Sequence, residues 1–217
     1  KGKAASFFEN LVFLNQAKTL SDKEHYFQKI KKIGRKTDFY KLNKDQFFFY
    51  EKWFYPVIRE LMVHADWEGN YSKLAKMVRP SITPLEAKEA VELLLNSGIV
   101  KRESSGAYTL SHTFVTSENV PIYIKKKSRR DVLLRGVEAI ENVEPSEKYA
   151  AYSTVTMSKK LYNEVRDMLD EIREKILSRV ADDSTPDEIY EVVLQVFPVS
   201  KMKKNIKKPL RGEGNEE

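Results

Sequence analysis

The sequence contains no cysteine, which excludes disulfides, thiolate metal sites and cysteine nucleophiles and fits a reducing compartment. No stretch approaches the roughly 18 consecutive apolar residues that a membrane helix needs, and the N-terminus lacks the apolar core of a secretory signal. We therefore predict a cytoplasmic protein with no membrane partner. The first residue is Lys1 rather than Met, so we expect that the intact protein has a segment upstream of it.

Recognisable catalytic and cofactor motifs are also missing. The strings GxGxxG, GxxxxGK[ST] and GxSxG do not occur, and His25, His64 and His112 lack the spacing of HxxxH or HExxH zinc sites. Carboxylate pairs such as Asp182 with Asp183 are typical of solvated turns. These absences predict a protein that is not an enzyme and that holds no metal and no cofactor.

Two helices are predicted in an N-terminal region that covers residues 1–44. Apolar residues from Ala4 to Leu14 recur at helical spacing and predict a helix over residues 3–17. Ser21 and Glu24 form a capping box for a second helix, which Gly34 ends.

A strongly aromatic helix is predicted next, capped by Asn43 or Asp45 and extending to about His64. Aromatic residues surround it, which indicates burial on more than one face, while an effector or dimer contact is the alternative. Pro56 should either bend this helix or mark its true first turn.

The clearest helix signals lie between residues 71 and 98. A short helix begins at Tyr71 and ends before Pro80. In the next helix Thr83 and Glu86 occupy the N-cap and N3 positions around an N1 proline, the full set of start signals. Gly98 follows at the position where a left-handed residue commonly ends a helix.

A hairpin is predicted immediately after this helix. Ile99–Glu103 and Ala107–Ser111 are strand-like runs joined by a tight turn that contains Gly106. Helix, helix, long helix and hairpin is the order of a winged helix, which we predict for residues 45–115.

The remaining chain is predicted to contain a connecting helix over residues 116–145 and a strand–helix–strand unit over residues 146–200. The strand candidates are Ala151–Met157 and Glu188–Val199, and they need partner strands from elsewhere in the chain or from another subunit. Residues 201–217 form a basic tail, expected to be flexible. The predicted fold class is thus mainly α, with a winged-helix unit plus a small C-terminal α+β unit.

Basic residues on the predicted winged helix are candidates for nucleic-acid binding through DNA phosphates. They are Lys73, Lys76, Arg79, Lys88, Lys101 and Arg102. However, residues 83–96 contain three glutamates and one lysine, a net charge of −2, which would face a strongly negative groove. This helix is therefore either a DNA-reading element or a packing and dimerisation element.

A second basic cluster lies in the connecting helix and places five positive charges within six positions. Its members are Lys125, Lys126, Lys127, Arg129 and Arg130. Such a run is either a solvated helix face or a site for phosphate or an acidic partner.

Four stretches carry a resemblance to a known family. They are FFENLVFLNQAKT (Phe7–Thr19), YEKWFYPVIREL (Tyr50–Leu61), RPSITPLEAKEAVELLLNSGIVKRESSGAY (Arg79–Tyr108) and LQVFPVSK (Leu194–Lys201). The chain resembles, over nearly its whole length, a paralogous family of uncharacterised bacterial proteins, first noticed as an expansion in Fibrobacter and defined by a domain of unknown function. The resemblance implies a transcription regulator. It also implies a phage-repressor-type helix-turn-helix ahead of Phe7, which this sequence lacks.

These features predict a regulatory and dimerisation module of a DNA-binding transcription regulator. We expect a homodimer, with DNA as a partner of the intact protein; no residue pattern identifies an effector. The alternative is a protein–protein interaction scaffold that uses the winged helix as a docking surface without binding DNA.

Overall fold

The computed structural model describes residues 3–19, 21–23, 25–26, 29 and 39–201. This part of the chain is mainly helical. Its helices are α1 (Lys3–Gln16), α2 (Phe54–His64), α3 (Tyr71–Met77), α4 (Pro84–Asn96), α5 (Ile122–Asn142) and α6 (Lys159–Asp182), with short 3₁₀ helices at Lys44–Tyr50 and Pro145–Glu147. The predicted second helix, from Ser21 to about Ile33, lies largely outside the described residues, as does the tail from residue 202 onward.

The described strands are short and form two pairs. They are β1 (Phe39–Lys41), β2 (Val100–Arg102), β3 (Tyr108–Leu110) and β4 (Phe114–Thr116). The β2 and β3 strands pair antiparallel as the predicted hairpin, with Val100 opposite Leu110. The β1 and β4 strands pair in parallel, an arrangement that the sequence did not predict because two three-residue strands so far apart leave no local signal.

The hydrophobic core lies among α2, α3, α4 and the start of β2. Ile58, Leu74 and Leu94 contribute one fully buried side chain from each helix, and Val100 adds a fourth from the hairpin. Each helix therefore buries one face against the other two, and burial of a side chain of this size contributes roughly 1.5–3 kcal/mol.

The aromatic run forms two helices instead of one. Asn43 and Gln46 form a capping box at the 3₁₀ helix, and α2 begins at Phe54 with Pro56 in its first turn, where the missing N–H of proline costs little. Phe49 and Phe54 are buried, and the other aromatic residues of the run are buried or pack against the core. This confirms that the run belongs to the core.

The start and end signals of α4 are confirmed. The Thr83 hydroxyl accepts a hydrogen bond from the Glu86 N–H (3.2 Å), and the Glu86 carboxylate accepts from the Thr83 N–H (2.9 Å). Gly98, just past the helix, has a φ of 72°, which a residue without a Cβ adopts at little cost. The termini of α4 are therefore set by local chemistry.

Replacement of Thr83 by alanine should lower the free energy of unfolding by about 1 kcal/mol, because the Glu86 N–H loses its acceptor. The Thr83 N–H and hydroxyl donate to the Glu86 carboxylate and lower its pKa. The stability that these two bonds add is therefore present above the ordinary carboxyl pKa and is lost as acid protonates the folded protein. Urea unfolding at neutral and acidic pH measures both effects. Thr83→Ser keeps the hydroxyl and should behave like the parent, and an equal loss in both variants would contradict the capping role.

The hairpin is held against the helical core by an aromatic contact. Trp67, which is buried, stacks on Tyr108 of β3 with ring centroids 5.5 Å apart. Trp67 follows α2 in the chain, so this contact fixes β3 beside the end of that helix.

Polar side chains attach the segment before α2 to the rest of the core. The Gln46 amide donates to the Ser97 carbonyl (3.0 Å) and its oxygen accepts from the Tyr40 hydroxyl (3.0 Å). Burial raises the pKa of Tyr50 to about 12, so its hydroxyl stays protonated and donates to the carbonyl of Val115 in β4 (3.3 Å). These contacts join β1, the 3₁₀ helix and β4 around the end of α4.

The predicted C-terminal α+β unit is wrong in its strands, although its helix is present as α6. Residues 151–157 and 188–199 contain no strand, and most of their side chains are exposed, for example Tyr152 at 94%. Their alternating apolar residues suggested strands, but a strand also needs a neighbouring edge for its backbone hydrogen bonds, and the described chain pairs no edge with them.

Candidate nucleic-acid interface

Three of the six candidate phosphate-binding residues are next to carboxylates. The Lys73 ammonium lies 3.2 Å from the Glu68 carboxylate. The corresponding distances are 3.9 Å from Lys88 to Glu92 and 3.9 Å from Arg79 to Glu147. A cation paired in this way offers less net charge to a phosphate, because its neighbour repels the same phosphate.

The other three candidates, Lys76, Lys101 and Arg102, are exposed and form no ion pair with the described residues. Lys76 lies in the last turn of α3, whereas Lys101 and Arg102 are on β2 of the hairpin. The Arg102 guanidinium lies 5.8 Å from the centre of the Tyr108 ring on the neighbouring strand. These three cations are the ones available to a phosphate backbone.

The exposed face of α4 is acidic. Its buried face consists of Ala87, Ala90, Val91 and Leu94. The exposed side carries Glu89 and Glu92 together with Lys88. Hydrogen bonds from Thr83 lower the pKa of Glu86 in the first turn, so this carboxylate is ionised at neutral pH. Insertion of this face into the groove of a DNA duplex would bring these acids against the negative charge of the DNA.

The basic cluster of α5 is also divided between paired and unpaired residues. The Lys127 ammonium contacts the Asp131 carboxylate (2.6 Å), and the Lys125 ammonium donates to the Glu118 carbonyl (2.8 Å). In contrast, Lys126, Arg129 and Arg130 are exposed and pair with no acid in the described part of the chain. These three residues leave a positive surface on the first half of α5.

Two arginines that sequence reasoning missed have structural roles. Arg59 of α2 is buried, contacts Glu60 and donates to the carbonyls of His112 and Thr113 ahead of β4. Its position beside Ile58 on the apolar face of α2 was the signal that could have identified it. Arg135 of α5 lies 4.4 Å above the Trp53 ring, a long-range contact without any local signal.

Among the described residues, no group of three or more histidines or carboxylates is placed to hold a metal ion. The same residues include no helix with the length and apolar character needed to cross a membrane.

Comparison with known proteins assigns the chain to a family. No curated protein and no solved structure matches it. The model of a family described as a domain of unknown function, DUF4423, matches residues 33–199, more than half of the chain. The protein therefore belongs to the DUF4423 family.

Proposed function

We propose that this chain is the regulatory and dimerisation module of a DNA-binding transcription regulator. In this proposal α2, α3, α4 and the β2–β3 hairpin form a winged helix that contacts DNA phosphates but does not read base edges. The shared core of the three helices and the stacking of Trp67 on Tyr108 support a single unit in the winged-helix order.

One observation carries the proposal. Lys76, Lys101 and Arg102 have no carboxylate partner among the described residues, whereas the helix between them in sequence exposes Glu89 and Glu92. Insertion of α4 into the major groove would bring these acids against the DNA, while cations on α3 and the hairpin can approach the backbone from the sides. Contact that is independent of DNA sequence is therefore the mode that these charges favour.

The experiment measures binding of the full chain to a labelled random-sequence duplex at increasing salt. Three phosphate contacts predict that the affinity falls roughly 40-fold between 50 and 200 mM salt. Combined replacement of Lys76, Lys101 and Arg102 by glutamine should remove most of this salt dependence. The matched control replaces the paired residues Lys73, Arg79 and Lys88 by glutamine. It removes the same formal charge and should reduce the salt dependence of binding less. Equal losses in both variants would contradict the assignment.

A second function, a protein-interaction scaffold, is favoured by one feature of α4. Leu85 is 64% exposed on the acidic surface of this helix, a combination suited to a basic, partly apolar protein partner. Absence of salt-dependent duplex binding by the parent chain would favour this scaffold over the DNA-contacting module.

A further inference from the structure

The chain from α5 onward leaves much apolar surface uncovered. The second half of α5 exposes Leu133, Leu134, Val137 and Ile140, each at least 40% exposed. We name these four residues the α5 apolar face. Residues 183–200, which we name the C-terminal arm, contain no helix or strand and expose Tyr190, Val192, Val193, Leu194, Phe197 and Val199.

The arm of the same chain lies on a different side of α5. The Arg135 guanidinium contacts the Glu191 carboxylate of the arm at 3.0 Å, and its side chain is only 11% exposed. At 3.6 residues per turn, Arg135 lies about 160° around the helix from Leu133 and from Val137. The arm therefore contacts a side of α5 away from the α5 apolar face and leaves that face exposed.

The charges of the two surfaces are complementary. The arm contains four acidic residues, Asp183, Asp187, Glu188 and Glu191, and no basic residue. The first half of α5 exposes Lys126, Arg129 and Arg130, none of which pairs with an acid in the described chain. Apart from Glu191, the arm carboxylates likewise form no ion pair among residues 39–201. Within one chain, the contact of Arg135 with Glu191 already joins a cation of α5 to a carboxylate of the arm.

The apolar area also matches what a stable dimer requires. Ten side chains at about half exposure correspond to roughly 1,000 Å² per chain, compared with about 800 Å² per partner in a standard protein interface. Because one chain carries both the acidic arm and the basic, apolar helix face, two copies can satisfy both surfaces through one two-fold axis.

We infer that the C-terminal arm of a second copy of this chain lies along the α5 apolar face and its adjoining cations, and that the exchange is reciprocal. The inference rests on the dimerisation role in the proposed function and names the surface that performs it. In this dimer the arm carboxylates meet Lys126, Arg129 and Arg130 of the other copy, and the apolar side chains of the arm cover the α5 apolar face.

The test measures the mass of the full chain by analytical ultracentrifugation over a range of concentrations. The parent chain should sediment at twice its 25.3 kDa. Replacement of Lys126, Arg129 and Arg130 by glutamate should raise the dimer dissociation constant at least about tenfold, because like charges then face each other. Replacement of Asp183, Asp187 and Glu188 by lysine should do the same. Combining all six replacements should restore association, which a general structural defect would not do.

An apolar variant tests the same surface independently. Leu134→Glu with Val137→Glu should dissociate the dimer without unfolding the chain, because both side chains are more than half exposed. Tyr149→Glu with Tyr152→Glu is the matched control, since it introduces the same two charges at side chains that are more than 90% exposed and lie outside the proposed contact, and it should remain dimeric.

The remaining outcomes separate this inference from the proposed function. A chain that is monomeric at every concentration overturns the inference. A dimer that tolerates all these variants overturns the assigned surface but leaves dimerisation intact. Duplex binding measured on the same preparations tests the DNA contact separately. Failure of the dimer test therefore leaves the proposed DNA contact open, and failure of the duplex test leaves the proposed dimer open.

Discussion

Replacement of Leu94 by alanine is expected to lower the free energy of unfolding by about 2–5 kcal/mol. Leu94 is fully buried in the core that α4 shares with α2 and α3, so the change removes apolar contacts and leaves a cavity that its neighbours fill only in part. Urea unfolding followed by circular dichroism measures the loss.

The control for this prediction lies on the same helix. Leu85→Ala removes the same atoms from a side chain that is 64% exposed and should change stability by no more than about 0.5 kcal/mol. Similar losses in the two variants would show that α4 does not bury the face described above. A large loss for Leu94 alone would support the three-helix core on which the proposed function depends.

Replacement of Arg59 by methionine should cost about 2–4 kcal/mol of unfolding free energy. Methionine preserves much of the side-chain volume but removes the donors to the carbonyls of His112 and Thr113 and leaves Glu60 without this partner. These bonds join α2 to the segment that leads into β4, so the β1–β4 pair should loosen as well.

Two further variants separate the hydrogen bonds of Arg59 from its charge. Arg59→Lys keeps the charge, but one ammonium cannot reproduce the planar fork of donors, so an intermediate loss is expected. Arg166→Met removes an arginine that is exposed and 3.5 Å from Asp167, and should have little effect because surface ion pairs contribute about 0–1 kcal/mol. If Arg59→Met were as mild as Arg166→Met, the bonds of Arg59 would not be holding this segment.

The two functional hypotheses assign different roles to the same charged residues. For a DNA-contacting module the unpaired Lys76, Lys101 and Arg102 are the important groups, and the acids of α4 limit how closely that helix can approach the groove. For a scaffold the acidic surface around Leu85 is the binding site. Dimerisation through α5 and the arm is compatible with either hypothesis, because it uses a different part of the chain.

The sequence by itself determined the features that depend on neighbouring residues. The N-cap at Thr83, the end of α4 at Gly98 and the β2–β3 hairpin were all predicted and are confirmed, because capping, left-handed glycine and tight turns involve residues only a few positions apart. The alternation of residues 188–199 was equally local but misleading, since periodicity cannot show whether a partner strand is present.

Only the tertiary structure decided which distant residues meet and which surfaces remain uncovered. The parallel pairing of β1 with β4, the contacts of Arg59 ahead of β4 and the ion pair of Arg135 with Glu191 each join residues more than fifty positions apart. In the candidate interface, the carboxylate beside Arg79 belongs to Glu147, in the 3₁₀ helix that follows α5. Such distances depend on how the helices pack, and packing reflects the whole chain rather than any one segment.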